Sequence, residues 1–247
     1  MSSPSALVIG GGSGIGAALV TRYREADTPV TVWDIEGDVD VQCDIAQPEE
    51  IEAALHHQLT HHGVPRWVTV TAGVGHSGLL LDTTPEEWDR VMRINLRGPW
   101  LCMRAVAALM IEAEVPGSII ATSSVSAHLV DRNMGTYCAS KAALSMTIKV
   151  AAAEWGPSHI RVNGIGPGVT KTPMLGGAPS GSPWLTGVAQ RSALQRLGEA
   201  DDIAQAVLAL HQMEWVTGQV LDCDGGLSLH SPIDSYGAHS KPARLPR

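Results

Sequence analysis

The sequence predicts an α/β chain built on a doubly wound, mostly parallel sheet with helices on both faces, three layers in all. Three observations carry that expectation. Short β-branched runs alternate with helical stretches, a glycine-dense turn follows the first run, and an aspartate closes the second. Ala6 to Ile9 is the first strand, and Gly10 to Gly16 turns it into a helix reaching about Arg24. Pro29 to Ile35 is the next strand, and Pro48 opens a helix through His62, its fixed φ suited to a first turn. Trp67 to Thr71 is a buried run closed by Ala72 and Gly73. Thr84 followed by Pro85 and Glu87 reads as a capping box for a helix to about Asn95, continued by an apolar helix from Pro99 to Ala113. Strands at Ser118 to Thr122, Ile160 to Ile165 and Gln219 to Asp222 bracket helices at Thr136 to Trp155 and Asp201 to Leu210.

The 247 residues suffice for one domain with its own core, placed at 1–229, with a lid at about 172–195 and an appended tail at 230–247. A net charge of −8 argues against nucleic acid or anionic membrane as a partner. No apolar run approaches the ~20 residues of a membrane helix. The first residues lack the basic and apolar regions of a secretory signal. Four scattered cysteines without CxxC spacing argue against zinc and against a disulfide framework. A cytoplasmic setting is expected.

The glycine turn points to a nucleotide. Glycine at 10, 12, 14 and 16, with Ser13 and Ile15 between, lets a pyrophosphate approach the backbone, and the following helix offers free N–H groups and a partial positive charge. Strand, glycine loop, helix, strand and acid occur in the order of a dinucleotide-binding unit. Asp34 is placed to bind the ribose hydroxyls of an adenosine. Asp34, Glu36, Asp38 and Asp40 have no Lys or Arg among them, so a 2′-phosphate here meets repulsion, and NAD(H) is expected over NADP(H).

Tyr137 and Lys141 stand four apart in a helical stretch and share one face. A phenol with a pKa near ~10 is a poor base at neutral pH, but a neighbouring ammonium and an oxidised nicotinamide both favour its phenolate. The pair can therefore serve as a general acid/base. Together with the glycine loop, Asn95-Leu96-Arg97-Gly98, Ser123-Ser124, Tyr137 to Lys141 and Pro167-Gly168, it resembles the short, single-domain branch of the short-chain dehydrogenase/reductase family over about residues 5–229. The resemblance implies a Rossmann-type fold and an NAD(H)-dependent interconversion of a secondary alcohol and a ketone. In it Tyr137 would exchange the proton and Ser124 would hold the substrate oxygen. Lys141 would bind the nicotinamide ribose and lower the Tyr137 pKa, and Asn95 would hold a water for proton relay. Asp44 and Ile45 would meet the adenine, and Ala72 and Gly73 would pass beneath the ribose. Pro167, Gly168, Val169 and Thr172 would line the nicotinamide side. Ser123 competes for the Ser124 role, but alternation along an extended strand points it to the other side.

Two positions depart from the family pattern: Ile9 stands for a usual Thr and Thr71 for a usual Asn, so local loop ties are in question. His57 and His61 have zinc-chelating spacing within a dense histidine cluster, but no third ligand accompanies them, and no metal is expected. Substrate contacts are expected at Ser126, His128, Met174 and Trp184, the last two giving the lid an apolar character. The partner is a small alcohol or ketone, and a homotetramer or dimer is implied by resemblance. Two other readings remain open, a non-catalytic nucleotide sensor on the same fold and a 3-oxoacyl thioester reductase.

Overall fold

The structure, a computed structural model, describes residues 5–176 and 181–229, so the expected tail at 230–247 and part of the expected lid lie outside it. Among the described residues nine strands occur in chain order: β1 (Ala6–Ile9), β2 (Val30–Asp34), β3 (Val41–Gln42), β4 (Trp67–Val70), β5 (Gly117–Thr122), β6 (Ile160–Pro167), β7 (Thr170–Lys171), β8 (Gly198–Glu199) and β9 (Val220–Cys223). The helices are α1 (Gly14–Glu25), α2 (Pro48–His62), α3 (Pro85–Met92), α4 (Gly98–Glu112), α5 (Gly135–Trp155), α6 (Pro183–Arg191) and α7 (Ala200–Gln212). Seven strands form one parallel sheet in the order β3-β2-β1-β4-β5-β6-β9, the Rossmann-type arrangement expected. β7 and β8 pair separately beside the lid segment.

Strand alternation divides the core into two halves. Leu7 and Ile9 of β1, Val68 and Val70 of β4, and Ile119 and Ala121 of β5 face α2, α4 and α5. Ala6 and Val8 of β1, with Ile120 of β5, face α1 and α7. Ile9 is thus a fully buried core side chain, which explains why an apolar residue is tolerated where the family pattern has Thr. On the α7 side His211 is buried between the Thr69 and Ser118 hydroxyls, at 3.0 and 2.9 Å, and stacks on Trp67.

Several boundaries differ from expectation for local reasons. The capping box at Thr84 is present, with the Glu87 N–H donating to Thr84 Oγ1 and the Thr84 N–H to Glu87 Oε2. The helix it opens does not simply reach Asn95. After α3 it passes through a π-helical turn, Arg93–Arg97, and runs without a break into α4. β3 has two residues, too few for any periodicity to show. α6 forms inside the expected lid, started by Ser182, whose Oγ accepts from Leu185 N–H, and by Pro183 in its first turn.

The order of strands places a crevice. β1 leads on one side to β2 and on the other to β4, so the chain diverges at the carboxyl ends of β1 and β4. Ligands of open parallel sheets bind at such a divergence. The glycine loop after β1 and Ala72-Gly73 after β4 both emerge there.

Candidate active site

The glycine loop is held by tight backbone crossings. A Cβ at Gly16 would collide with the Gly10 carbonyl oxygen, and Gly10 itself has φ +91°, so glycine is required at both positions. Thr71 does the tying in question: its hydroxyl donates to the Gly10 carbonyl at 2.7 Å and lies 3.2 Å from that of Ile9. The departure from Asn therefore leaves the loop braced. At the start of α1 the Ser13 side chain makes no capping bond, so the first-turn N–H groups are not consumed by it. Asp34 Oδ2 accepts from Gly12 N–H at 2.8 Å and Oδ1 from Ile35 N–H at 2.7 Å, which fixes the carboxylate against the loop. Asp40 turns back to accept from Val32 N–H, and Arg24 approaches Asp38 at 3.8 Å with both side chains exposed. A count restricted to residues 34–40 could not see Arg24, which arrives from the end of α1.

Next to this loop, a shallow cavity of about 520 Å³ is lined by Ile35, Gln42, Asp44 and Glu50. Asp44 borders it, whereas the Ile45 side chain is buried in the core against Gly98.

Asn95, Ser124, Tyr137 and Lys141 are all buried or nearly so. Asn95 sits in the π-turn, where its Oδ1 accepts from Val74 N–H at 2.8 Å and its Nδ2 donates to Val74 O at 2.9 Å. These bonds brace the strand-end loop, and the space over Gly73 is flanked by Asn95 Oδ1 and Lys141 Nζ. The side-chain amide is thus engaged by protein. The Asn95 carbonyl lacks its usual helical donor four residues on, because that residue is Pro99.

Lys141 is 3% exposed, and its Nζ donates to Thr122 O at 2.8 Å while lying 5.7 Å from the Tyr137 ring centre. No carboxylate pairs with it among the described residues. Burial pulls its pKa down to about 8. Burial raises that of Tyr137, and the Ser124 hydroxyl opposes the rise as a hydrogen-bonding neighbour. In the protein alone desolvation is the largest influence on the Tyr137 phenol and raises its pKa, so the charge of Lys141 would work against that rise. Ser123 faces away as alternation demands, its Oγ 2.7 Å from Ser145 Oγ.

The segment after β6 closes over the loop. Pro167 ends β6, Gly168 N–H donates to Cys223 O, and half-buried Val169 follows. Thr172 packs over Gly14, and Met174 over Gly75. Met174 and Trp184 are exposed, Ser126 donates to Asp131 Oδ2, and His128 is engaged by Asp222.

A family model described as enoyl-(acyl carrier protein) reductase matches residues 11–228. The chain belongs to the short-chain dehydrogenase/reductase family. The 2,5-dichloro-2,5-cyclohexadiene-1,4-diol dehydrogenase of Sphingobium indicum is 32% identical over 248 residues, covering 92% of this chain and 98% of the relative. The 3-oxoacyl-[acyl-carrier-protein] reductase FabG of Chlamydia muridarum is 30% identical, covering 91% and 97%. Among solved structures, 3-ketoacyl-(acyl-carrier-protein) reductase from Brucella melitensis complexed with NADH aligns with TM-score 0.83 at 28% identity, covering 91% of this chain and 98% of that one. As a short-chain dehydrogenase/reductase, the chain is an oxidoreductase acting on CH–OH groups. No helix among the described residues is long and apolar enough to cross a membrane.

What the sequence did not reveal are the long-range partners: Thr122 O for Lys141, Val74 for Asn95, Asp222 for His128. Each joins residues from separate elements, and no local spacing encodes them. In the histidine cluster, the His57 and His61 rings are 4.4 Å apart, and no group of three potential metal ligands occurs among the described residues.

Proposed function

We propose that this short-chain dehydrogenase/reductase uses NAD(H) to interconvert a secondary alcohol and a ketone, with Tyr137 as general acid/base. The observation that carries the reading is Lys141. A buried ammonium that among the described residues has no carboxylate partner and only Thr122 O engaging it is costly to keep, and such groups cluster at functional sites. Its Nζ lies beside Gly73, 3.5 Å from where a Cβ would stand, and its spare donors would hold a nicotinamide ribose there. The uncapped start of α1 and the glycine loop from Gly10 to Gly16 would hold the pyrophosphate. Asp34 would take the adenosine ribose, Asp44 with the backbone of Ile45 the adenine, and Pro167, Gly168, Val169 and Thr172 the carboxamide side.

When bound, the nicotinamide supplies or accepts the hydride. For reduction, Tyr137 gives its phenolic proton to the substrate oxygen, which the Ser124 hydroxyl orients. Burial keeps that proton on the phenol until the oxygen becomes basic enough to take it. Lys141 stabilises the resulting phenolate, and its lowered pKa suits it to pass a proton onward. Asn95 would hold a water on the route to solvent.

Exposed apolar Met174 and Trp184 favour a substrate with an apolar body. The carbocyclic diol named for the Sphingobium relative supports that class, while the thioester named for FabG keeps the 3-oxoacyl alternative in view. Exposed Trp100, Met146 and Val150 on α4 and α5 support assembly as a homotetramer or dimer, and four free cysteines suit a cytoplasmic setting. The test is NADH formation from NAD⁺ with cyclic secondary alcohols, cyclic diols and 3-hydroxyacyl thioesters. Turnover abolished in Tyr137→Phe supports the enzyme. NADH binding without turnover of any of them would favour the nucleotide sensor.

A further inference from the structure

Ser124 does not lie in a strand. It caps a short 3-10 turn, Val125–Ala127, with its own Oγ accepting from Ser126 N–H at 3.1 Å. The orientation of its hydroxyl is therefore set by how that turn is held. Upstream, Ser123 N–H donates to Ile165 O at 2.7 Å, which ties the entry to β6. Downstream, the turn closes through Ala127 N–H to Ser124 O, His128 N–H to Val125 O and Leu129 N–H to Val125 O. The imidazole at its exit then reaches β9: His128 Nε2 lies 3.1 Å from Asp222 Oδ2.

The route of that contact is built into the sheet. Asp222 on edge strand β9 pairs in register with Gly166 on β6. A Cβ at Gly166 would collide with Asp222 Oδ1 and stand 3.5 Å from the Ser124 carbonyl carbon. The missing side chain is what allows the carboxylate to cross the edge of β6 and meet the turn. Besides His128, Asp224 acts electrostatically on Asp222, and partial burial raises the Asp222 carboxyl pKa.

We propose that His128 and Asp222 are positioning residues that act through Ser124, a strut from β9 that holds the turn so that the Ser124 hydroxyl meets the substrate oxygen. The inference rests on the role proposed for Ser124 above. Side-chain exposures of 50% for His128 and 30% for Asp222 mean that the pair adds little to global stability. Its effect is on placement, and a small misplacement of a substrate-orienting group is expensive in rate.

Two measurements test this on the full-length protein. Amide hydrogen exchange, which needs no substrate, should speed up severalfold across residues 126–129 in both His128→Ala and Asp222→Ala with melting temperature nearly unchanged. His128→Gln, which keeps a side-chain donor, should recover protection. With NAD⁺ and cyclohexane-1,2-diol as probe, or the panel alcohol turned over fastest if that diol is inert, either alanine variant should lower kcat by roughly tenfold, with KM changed little. The double variant should be no worse than either single one. Most decisively, His128→Ala added to Ser124→Ala should cost nothing further. Native exchange in both alanine variants, or a full additional loss on top of Ser124→Ala, overturns the strut. Undiminished activity in Ser124→Ala overturns instead the role of Ser124, and the exchange data then still judge whether the pair holds the turn.

Discussion

Replacing Asp34 by asparagine isolates charge from shape at the end of β2. The carboxylate accepts from Gly12 N–H at 2.8 Å and from Ile35 N–H at 2.7 Å. Asparagine keeps one acceptor oxygen and nearly the same volume, so the loop should survive. What disappears is the repulsion that a 2′-phosphate would meet. Two unit charges about 4 Å apart at an effective dielectric near 20 interact by about 4 kcal/mol. Partial exposure of Asp34 and salt screening reduce this to about 2 kcal/mol. The expected discrimination between NADH and NADPH attributable to this one group is therefore about thirtyfold. Calorimetric titration of both cofactors against wild type and Asp34→Asn reads it directly. Wild type should prefer NADH, and the variant should lose about that factor, chiefly by gaining NADPH affinity. Tighter NADPH binding by wild type would refute the electrostatic reasoning, as would a ratio that the substitution leaves untouched. Arg24, which approaches Asp38 at 3.8 Å, is the group to suspect in that event.

Three further outcomes are expected. Tyr137→Phe should lower kcat by about 10²- to 10⁴-fold, the usual contribution of a positioned acid, while NADH affinity measured by titration stays near wild type. Lys141 has a folded pKa of about 8 against 10.5 in the free side chain, so the unfolded state binds more protons between those values. Wild-type stability should thus rise relative to Lys141→Met by up to about 3 kcal/mol between pH 7 and pH 11, as read from denaturant midpoints, and a flat difference would contradict the burial argument. Thr71→Val removes the hydroxyl that ties Gly10 and should cost about 1–2 kcal/mol in stability and weaken cofactor binding; unchanged urea midpoint and affinity would mean that the loop needs no such tie.

The sheet was largely readable because its signals are local. β1 and α2 fall at their expected bounds, since an apolar run ending in glycine and a helix opened by proline are self-contained patterns. Ser123 does point to the other side, toward Ser145, as alternation along an extended backbone suggests, although both serines lie past the end of β5. The parts that escaped depend on partners far along the chain. Nothing near Asn95 signals a π-turn, because the extra residue is accommodated by packing against α5 and the strand-end loop. His128 reads as a loop residue free to meet substrate until Asp222, 94 positions later, is brought beside it by the β6–β9 pairing. The environment of Tyr137 escapes the sequence for a related reason. Spacing puts Lys141 on the same helix face, but only the fold sets how much water is lost around the phenol.

The π-turn at Arg93–Arg97 has a consequence for how this chain can vary. Each residue of a helix advances the face by about 100°, so removing one residue to restore a regular helix would rotate everything downstream by that angle. The inward face of α4, formed by Cys102, Met103, Val106, Ala107 and Met110, would then turn toward water. The irregularity cannot be edited out by a single deletion without unseating half of the interior. Drift by insertion or deletion is therefore blocked along this stretch, and Asn95 keeps its bearing because an apolar face several turns away would be lost with it.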